Sequence, residues 1–445
     1  MKRAADRRAG IVRRSGAKGS VAGLRRVAAA LIALGSVWAV RADAASFVVM
    51  TPLEGIDAFS GVALSADGST VVGNRLNRNR VNPAFLWTRA DGFRDLDELG
   101  PTFRAEGISG DGSRIVGSLD GEPVVWDRDG SPIALTLPVG GTSGGSALGV
   151  SDDGRYAVGR AHDGGIVEDF VIQPGGGVIG IPRPREVPVR WSIADGEVVA
   201  LVHISGAALD VSNDGVAVGN VEWPVYPGGE LGLRWDPENG PQYLPSAMPG
   251  GQPPFAYSAL SISADGRTIV GSTPSPPLET SGPLEVIQTY LWEGEPAPGD
   301  TLSAADLVVL DFPGYPISFT TGVKAISSDG STIVGAYHRD VDVAFTPRPF
   351  IWTRDGGFQD LEVLLNTLGI STTDWVVNGA LDVSADGRTI IGTGRGRNAA
   401  GRTSDMVWIA VIPEPSTALL LGAGLSMLAI RPRGRSAARH RARGA

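Results

Sequence analysis

The sequence of 445 residues contains no cysteine. Disulfides, thiolate metal sites and thiol nucleophiles are therefore excluded. Without cross-links, the chain must be held by its core or by sheets that close on themselves. Histidine is scarce as well: His162, His203, His338 and His440 are isolated from one another along the chain. No HExxH, P-loop or GxSxG pattern occurs, so the common zinc-protease, nucleotide and hydrolase signatures are missing. The apolar runs near the two ends, residues 27–40 and 416–430, are short for a membrane span.

What is abundant is glycine (62) and proline (31), with 42% hydrophobic residues and no long polar tract. That balance reads as a turn-rich β protein rather than a disordered one. The net charge of −9 conceals an asymmetry. Residues 1–45 carry ten Lys/Arg and two Asp/Glu, and residues 413–445 carry six Arg and one Glu. Of 39 basic and 48 acidic residues, 23 and 45 remain between the ends, a net charge of −22. Such a surface repels nucleic acid and anionic lipid, and attracts cations or cationic partners.

Residues 1–45 have the order of a secretory signal: basic residues to Arg26, an apolar stretch, then small residues offering cleavage after Ala44 or Ala45. The expectation is export through the general secretion machinery, with an uncleaved anchor as the alternative. No Arg-Arg pair sits in a twin-arginine context.

Between the ends one motif is written seven times. ALSADGSTVVG ends at Gly73, GISGDGSRIVG at Gly117, GVSDDGRYAVG at Gly159, DVSNDGVAVG at Gly219, SISADGRTIVG at Gly271, AISSDGSTIVG at Gly335 and DVSADGRTIIG at Gly392. The Asp residues are spaced 44, 42, 61, 51, 64 and 57 apart, near the period of propeller blades. Large and small side chains alternate ahead of each turn (Ala380, Asp382 and Val383 in the last copy), a strand pattern. Asp-Gly suits a tight hairpin, because Gly takes positive φ freely. A third strand ends in Trp at 87, 126, 191, 235, 292, 352 and 408, and a fourth carries Leu or Val. The seventh copy lacks its fourth strand, and residues 47–53 precede the first copy as that missing piece. The expectation is an all-β, seven-bladed β-propeller over 46–411, closed by the N-terminal strand, with an open β-solenoid as the alternative. Closure removes exposed sheet edges.

The tail, 412–445, contains Pro413-Glu414-Pro415, the apolar run expected as a short helix, and an Arg-rich end. A basic flank holds such a segment on the cytoplasmic side. In this order these features resemble the PEP-CTERM sorting signal. The resemblance implies transient inner-membrane insertion, recognition by an exosortase, cleavage near residues 413–415, and an extracellular or cell-surface product of a bacterium that makes exopolysaccharide and biofilm. The repeats resemble the extracellular HAF type, and also the turns of TolB-like and WD40-like propellers, though without their proline. No settled activity comes with that family.

Chemistry must then lie in departures from the repeat. Asp210 and Asp382 replace small residues on the expected axial strand, and Glu106 and Lys324 interrupt the apolar position beside it. These four are the candidate polar cluster, since paired carboxylates can do acid–base work. Trp223 and Trp375 fall outside the repeated Trp position, on expected loops, as candidate contacts to carbohydrate. The seven Asp-Gly pairs lack the spaced carboxylates of a dedicated Ca2+ loop, so turn chemistry explains them and no cofactor is expected, with Ca2+ at these turns as the alternative. The leading expectation is a non-enzymatic exported propeller that contacts exopolysaccharide or another matrix component. The alternative is a glycosidase or lyase with its site in the axial funnel.

Overall fold

A computed structural model describes residues 45–50, 58–76, 84–128, 130–172, 178–222, 230–244, 258–272, 289–294, 307–310, 321–338, 347–372, 374–397 and 403–413. All belong to one compact unit, Ala44–Ala445. The expected leader with Ala44, residues Glu414 and Pro415, the apolar run 416–430 and Trp223 lie outside the described residues.

Each copy of the motif builds one turn, and its serine organises it. Ser65, Ser109, Ser151, Ser212, Ser263, Ser327 and Ser384 are at most 1% exposed. In six copies the Ser hydroxyl donates to the Asp two residues on, at 2.5–2.8 Å. In all seven it accepts the backbone N–H that opens the second strand, at 2.9–3.1 Å. The Asp in turn accepts a backbone N–H two residues on, as from Ser69 at 2.9 Å. Gly68 completes the turn at φ +71°, and a Cβ there would lie 2.7 Å from the Thr389 hydroxyl of another blade.

The strands assemble into seven four-stranded antiparallel sheets, an all-β seven-bladed propeller. The inner strands are Ala58–Leu64, Arg104–Ile108, Gly145–Val150, Gly206–Val211, Ser258–Ile262, Thr321–Ile326 and Trp375–Val383. Each carries a β-bulge, seen as a register shift such as that between Ala105 and Gly107. The bulge explains the glycine that closes most copies of the motif. A Cβ on Gly117 would sit 1.8 Å from the carbonyl oxygen of Arg104, and one on Gly159 would sit 2.0 Å from that of Ser146. Only glycine lets the second strand pass the bulged inner strand that closely.

The outer strand of the seventh sheet is Ser46–Met50. It pairs antiparallel with Thr403–Val411, from Ser46 opposite Val411 to Met50 opposite Val407. In the sixth sheet the fourth strand, Gly357–Asp360, stops at Asp360. Asp360 accepts the Val363 N–H at 3.0 Å and caps a short helix, Leu361–Thr367. The side-chain cap competes with further ladder pairing, and the helix buries Leu361 and Leu365.

The core lies between blades. Met50, Leu64, Val71, Phe85 and Trp87 pack with Ile391, Val407 and Ile409, which joins the first blade to the seventh. Six of the seven repeated tryptophans are at most 9% exposed, and Trp352 is half-buried. Several also use their indole N–H internally, Trp126 on Gly130 O at 2.8 Å and Trp408 on Thr393 O at 2.9 Å. Buried aromatic faces of this kind are packing elements, not open platforms.

Candidate functional site

The bulges shape the axis. A bulged residue and its successor both reach the same side of the strand, so two rings of side chains line the channel instead of one. Glu106 and Lys324 are bulged residues, while Asp210 and Asp382 follow bulges in the fourth and seventh blades. The four meet in the wall of one axial cavity of about 210 Å³. A smaller one of about 100 Å³ continues it toward the Asp-Gly turns and shares Asp210 and Asp382.

The two aspartates do not bond to each other. Asp382 accepts the N–H of Val383 and, across the seam, that of Leu64 in the first blade, both at 2.8 Å. Asp210 accepts the N–H of Val211 at 2.8 Å, the Ser261 hydroxyl at 2.7 Å and the Ile262 N–H at 2.9 Å, the last two in the fifth blade. The Ser261 hydroxyl itself accepts the Ile326 N–H of the sixth blade at 3.4 Å. Each side chain thus covers a backbone donor that a bulge leaves turned toward the axis. Glu106 pairs with Arg104 at 3.3 Å, and Lys324 is exposed.

Burial pushes the Asp382 carboxyl up to about 7, against the N–H groups of Leu64 and Val383, with Asp210 and Asp152 adding negative charge. Burial raises Asp210 to about 6 in the same way, with Asp152 contributing. Asp152 is itself raised, chiefly by burial, and its carboxyl bonds to Ser328 of the sixth blade, across the axis from the third. Asp152 joins this group only through the fold; in the sequence it shows merely as a doubled Asp-Asp.

Backbone hydrogen bonds tie neighbouring turns around this end of the channel. Gly110 N donates to Asp152 O at 2.8 Å, Ala264 N to Ser328 O at 2.9 Å, and Ala385 N to Ala66 O at 2.8 Å across the seam between the seventh blade and the first. The turn carboxylates are occupied where they stand. Burial works upward on Asp67, Asp153 and Asp329, yet the hydroxyls and N–H groups of their own turns hold them below the usual carboxylate range. At Asp111 the Ser113 N–H is the main cause of the same lowering. Among the described residues no three His, Cys, Asp or Glu side chains group as a metal site.

One expectation is corrected. Trp375 is not on a loop: it opens the inner strand Trp375–Val383 opposite Gly396, and its ring covers that glycine, where a Cβ would lie 1.8 Å from it. The bare glycine leaves the flat face that the indole fills. His162 and His203 each lie beside a carboxylate. In the third blade the second and third strands are extended, Tyr156–Ile172 and Val178–Ser192, and form a hairpin with a break at His162 and Ile166. At the break Asp163, its side chain 1% exposed, binds Arg185 at 2.6 Å and His203 Nδ1 at 3.1 Å. Burial would raise Asp163, but Arg185, His203 and the Gly165 N–H hold it down at about 2. His162 approaches Glu186 at 3.6 Å. The sequence signal was the spacing of 61 between the third and fourth Asp.

No family model matches the sequence, and no curated protein matches it. Similar solved structures are propellers. The β-propeller domain of the Trilobed protease from Pyrococcus furiosus is 13% identical, with TM-score 0.47, covering 79% of this chain and 95% of that one. U3-55K is 13% identical, with TM-score 0.46, over 82% and 98%. The acylaminoacyl peptidase of Pyrococcus horikoshii is 13% identical, with TM-score 0.47, over 82% of this chain and 54% of its own. At this identity the likeness concerns the fold alone.

Proposed function

We propose that this chain is an exported, exosortase-sorted and non-enzymatic propeller that acts at the cell surface or in the exopolysaccharide matrix. The observation that carries the reading is how the seventh blade is made. One of its strands comes from Ser46–Met50, just past the expected leader cleavage, and another from Thr403–Val411, just before the Pro413-Glu414-Pro415 triplet. Ile412 still donates its N–H to Arg388 O at 2.8 Å, and Pro413 is buried. Trimming at both ends therefore removes no strand. The N-terminal strand closes the ring and stands in for the cross-links that a chain without cysteine lacks.

The absence of turnover is part of the proposal. Asp210 and Asp382 each spend one carboxyl oxygen on the neighbouring blade and the other on the next N–H of their own strand, which is the work of a seam rather than of an acid–base pair. Removing 413–445 in an exosortase-bearing host should change where the protein fractionates, and intact mass spectrometry of the extracellular form should find both trimmed ends. Unaltered fractionation would sink the sorting reading.

The second reading is a glycosidase or lyase working on exopolysaccharide. It draws on Asp210 and Asp382, whose raised carboxyls share a cavity with Glu106 and Lys324. If polymer incubated with the chain gains reducing or unsaturated ends, and Asp382→Asn abolishes the gain, this reading replaces the first.

A further inference from the structure

The second and third strands of the third blade, Tyr156–Ile172 and Val178–Ser192, outrun the rest of their sheet. The inner strand pairs with the second only as far as Ala161, and the outer strand pairs with the third only from Val189 to Trp191. Past the break, the pairs from Ile166 opposite Pro184 to Ile172 opposite Val178 form a two-stranded ribbon of their own. Among the described residues no other strand pairs with either side of it. Such a ribbon is marginal in water by itself. This one also presents apolar side chains to solvent, with Ile166 71% exposed, Ile181 51% and Ile179 44%.

Proline decides how its two edges differ. Pro182 and Pro184 have no N–H to give to the ladder, so they stand where the backbone of the third strand turns outward. Leu201 N of the outer strand's end donates to Pro188 O at 2.9 Å, which puts the even-numbered residues of the third strand on that outward side. Two successive outward positions on this edge therefore offer no donor, and it resists further pairing. The opposite edge is open. Glu168 and Ile166 lie across from Pro182 and Pro184, at pairs that exchange no ladder bonds, so their N–H and C=O groups turn away from the ribbon. Phe170, across from Gly180, follows by alternation. None of the three has a backbone partner outside the ribbon among the described residues. Successive outward donors and acceptors of this kind are a template for another strand.

Charge selects the strand that fits. At its root the ribbon faces the fourth blade across a cavity of about 410 Å³ lined in part by Arg160, Arg183, Glu186 and Glu222. The arginines of this hairpin are committed: Arg183 meets Glu222 at 2.8 Å, Arg160 meets Glu186 at 3.2 Å, and Arg185 meets Asp163 at 2.6 Å. Glu168 is exposed on the open strand and pairs with no cation among the described residues. The open strand reads Ile-Val-Glu-Asp-Phe-Val-Ile, with two acids and no base. A second copy laid on this edge would bring the same acidic strand against itself, on a chain whose middle carries a net charge of −22. A basic strand meets no such obstacle. Its backbone completes the open ladder, a Lys or Arg reaches Glu168, and aliphatic side chains at alternate positions lie beside Ile166. We infer that the open edge of the third-blade ribbon, residues 166–172, takes up an extended basic segment of another protein as a third strand.

This goes beyond the matrix reading and does not depend on it. The probe is a short fluorescent peptide alternating lysine with valine, titrated with the purified full chain and followed by anisotropy at physiological salt. A peptide alternating lysine with proline keeps the charge but cannot complete a ladder, and it should bind at least about tenfold more weakly. Glu168→Gln should weaken the lysine–valine peptide a few-fold and reduce the salt dependence of binding. Glu168→Pro also removes an outward N–H that the ribbon does not use, so it should weaken binding about tenfold beyond Glu168→Gln. Amide exchange at Val167 and Asp169, whose N–H groups face the third strand, should stay slow in that variant. Ile166→Pro removes the neighbouring outward N–H and no charge; it should act in the same way, and it decides the matter if Glu168→Pro loosens the ribbon. Equal binding of the two peptides overturns the inference, and so do proline variants that bind like the parent. Sedimentation that finds a dimer of the full chain, broken by Ile166→Pro, would give the edge to a second copy and overturn it as well. No export step enters these measurements, so their failure leaves tail-dependent sorting intact.

Discussion

Asp382→Asn should stabilise the propeller at pH 8 and destabilise it slightly at pH 3. Burial holds the Asp382 carboxyl at about 7 instead of the ordinary 3.8. The folded chain therefore keeps this proton more tightly than the unfolded chain, and stability falls as pH rises from the unfolded value through about 7. The full difference corresponds to about 4 kcal/mol. Water in the channel screens part of it, which leaves on the order of 3 kcal/mol. The amide keeps one acceptor for Leu64 N–H but loses the second, which serves Val383 N–H. That loss costs about 1 kcal/mol at every pH. The variant should then be about 2 kcal/mol more stable than the parent at pH 8 and about 1 kcal/mol less stable at pH 3, below the unfolded value, where the parent carboxyl is protonated in both states. Thermal melts of the full chain at fixed ionic strength would show the difference in melting temperature change sign between these values. Asp210→Asn should gain less and level off at lower pH, because Asp210 is raised only to about 6. A difference that stays flat from pH 3 to pH 8 would mean that Asp382 is solvated like a surface carboxylate, and the account of the axis would be wrong.

Gly117→Ala should cost on the order of 3 kcal/mol in urea unfolding, because its Cβ would overlap the carbonyl oxygen of Arg104. Gly92→Ala, where no atom lies within 4 Å but φ is +72°, should cost only about 1 kcal/mol; equal costs would remove the bulge argument. Met50→Ala, at a residue 2% exposed in the cluster between the first and seventh blades, should lower stability by about 3 kcal/mol in the same assay. Asp163→Asn should loosen the extended hairpin of the third blade by about 2 kcal/mol at pH 7, read as faster amide exchange around Arg185. Asp163 is held at about 2, below its unfolded value, so its contribution is complete above that value and disappears as pH falls through about 2. Protection that is the same in variant and parent at pH 7 would refute the role of Asp163.

The blade was legible because its parts are local. Serine, Asp-Gly and a β-branched run specify a turn and the two strands around it within eleven residues, and seven copies expose the pattern by repetition. The bulge was not legible. Large and small residues alternate on both sides of it, so Ala380, Asp382 and Val383 read as one unbroken strand, while the ladder slips by a residue between Ala380 and Asp382. Glu106 and Lys324 stood out only as interruptions, and the slip explains why: a bulged position faces the channel, where a charge can be solvated. Asp210 and Asp382 were found because they break a row of small residues, but their partners could not be found. Leu64 N–H is 318 residues from Asp382, and no local pattern encodes a bond across a seam. The helix Leu361–Thr367 was missed for a different reason: Asp360 reads equally well as the end of a strand and as a cap, and the packing of Leu361 and Leu365 decides it.

The repeat consumes the residues that it shares among blades. Its serines and aspartates satisfy the turns, its glycines admit the bulges, and its tryptophans fill the spaces between sheets. Most of these are committed to the fold, so recognition is expected from unequal blades. The spacing between turns is 42 residues from the second to the third and 61 from the third to the fourth. The added length becomes the extended hairpin Tyr156–Ile172 and Val178–Ser192, pinned at its break by Asp163, Arg185 and His203. That pin is what holds Arg183 and Glu186 beside the fourth blade, opposite Ser205 and Glu222. An irregular interval, which adds nothing to the argument for a propeller, is thus the sequence feature that points to the cavity between the third and fourth blades. If that chain of dependence is right, Asp163→Asn will speed amide exchange in the facing strand Ala217–Glu222 together with the hairpin, although Asp163 itself does not line the cavity; exchange that changes in the hairpin alone would break the link between the pin and the pocket.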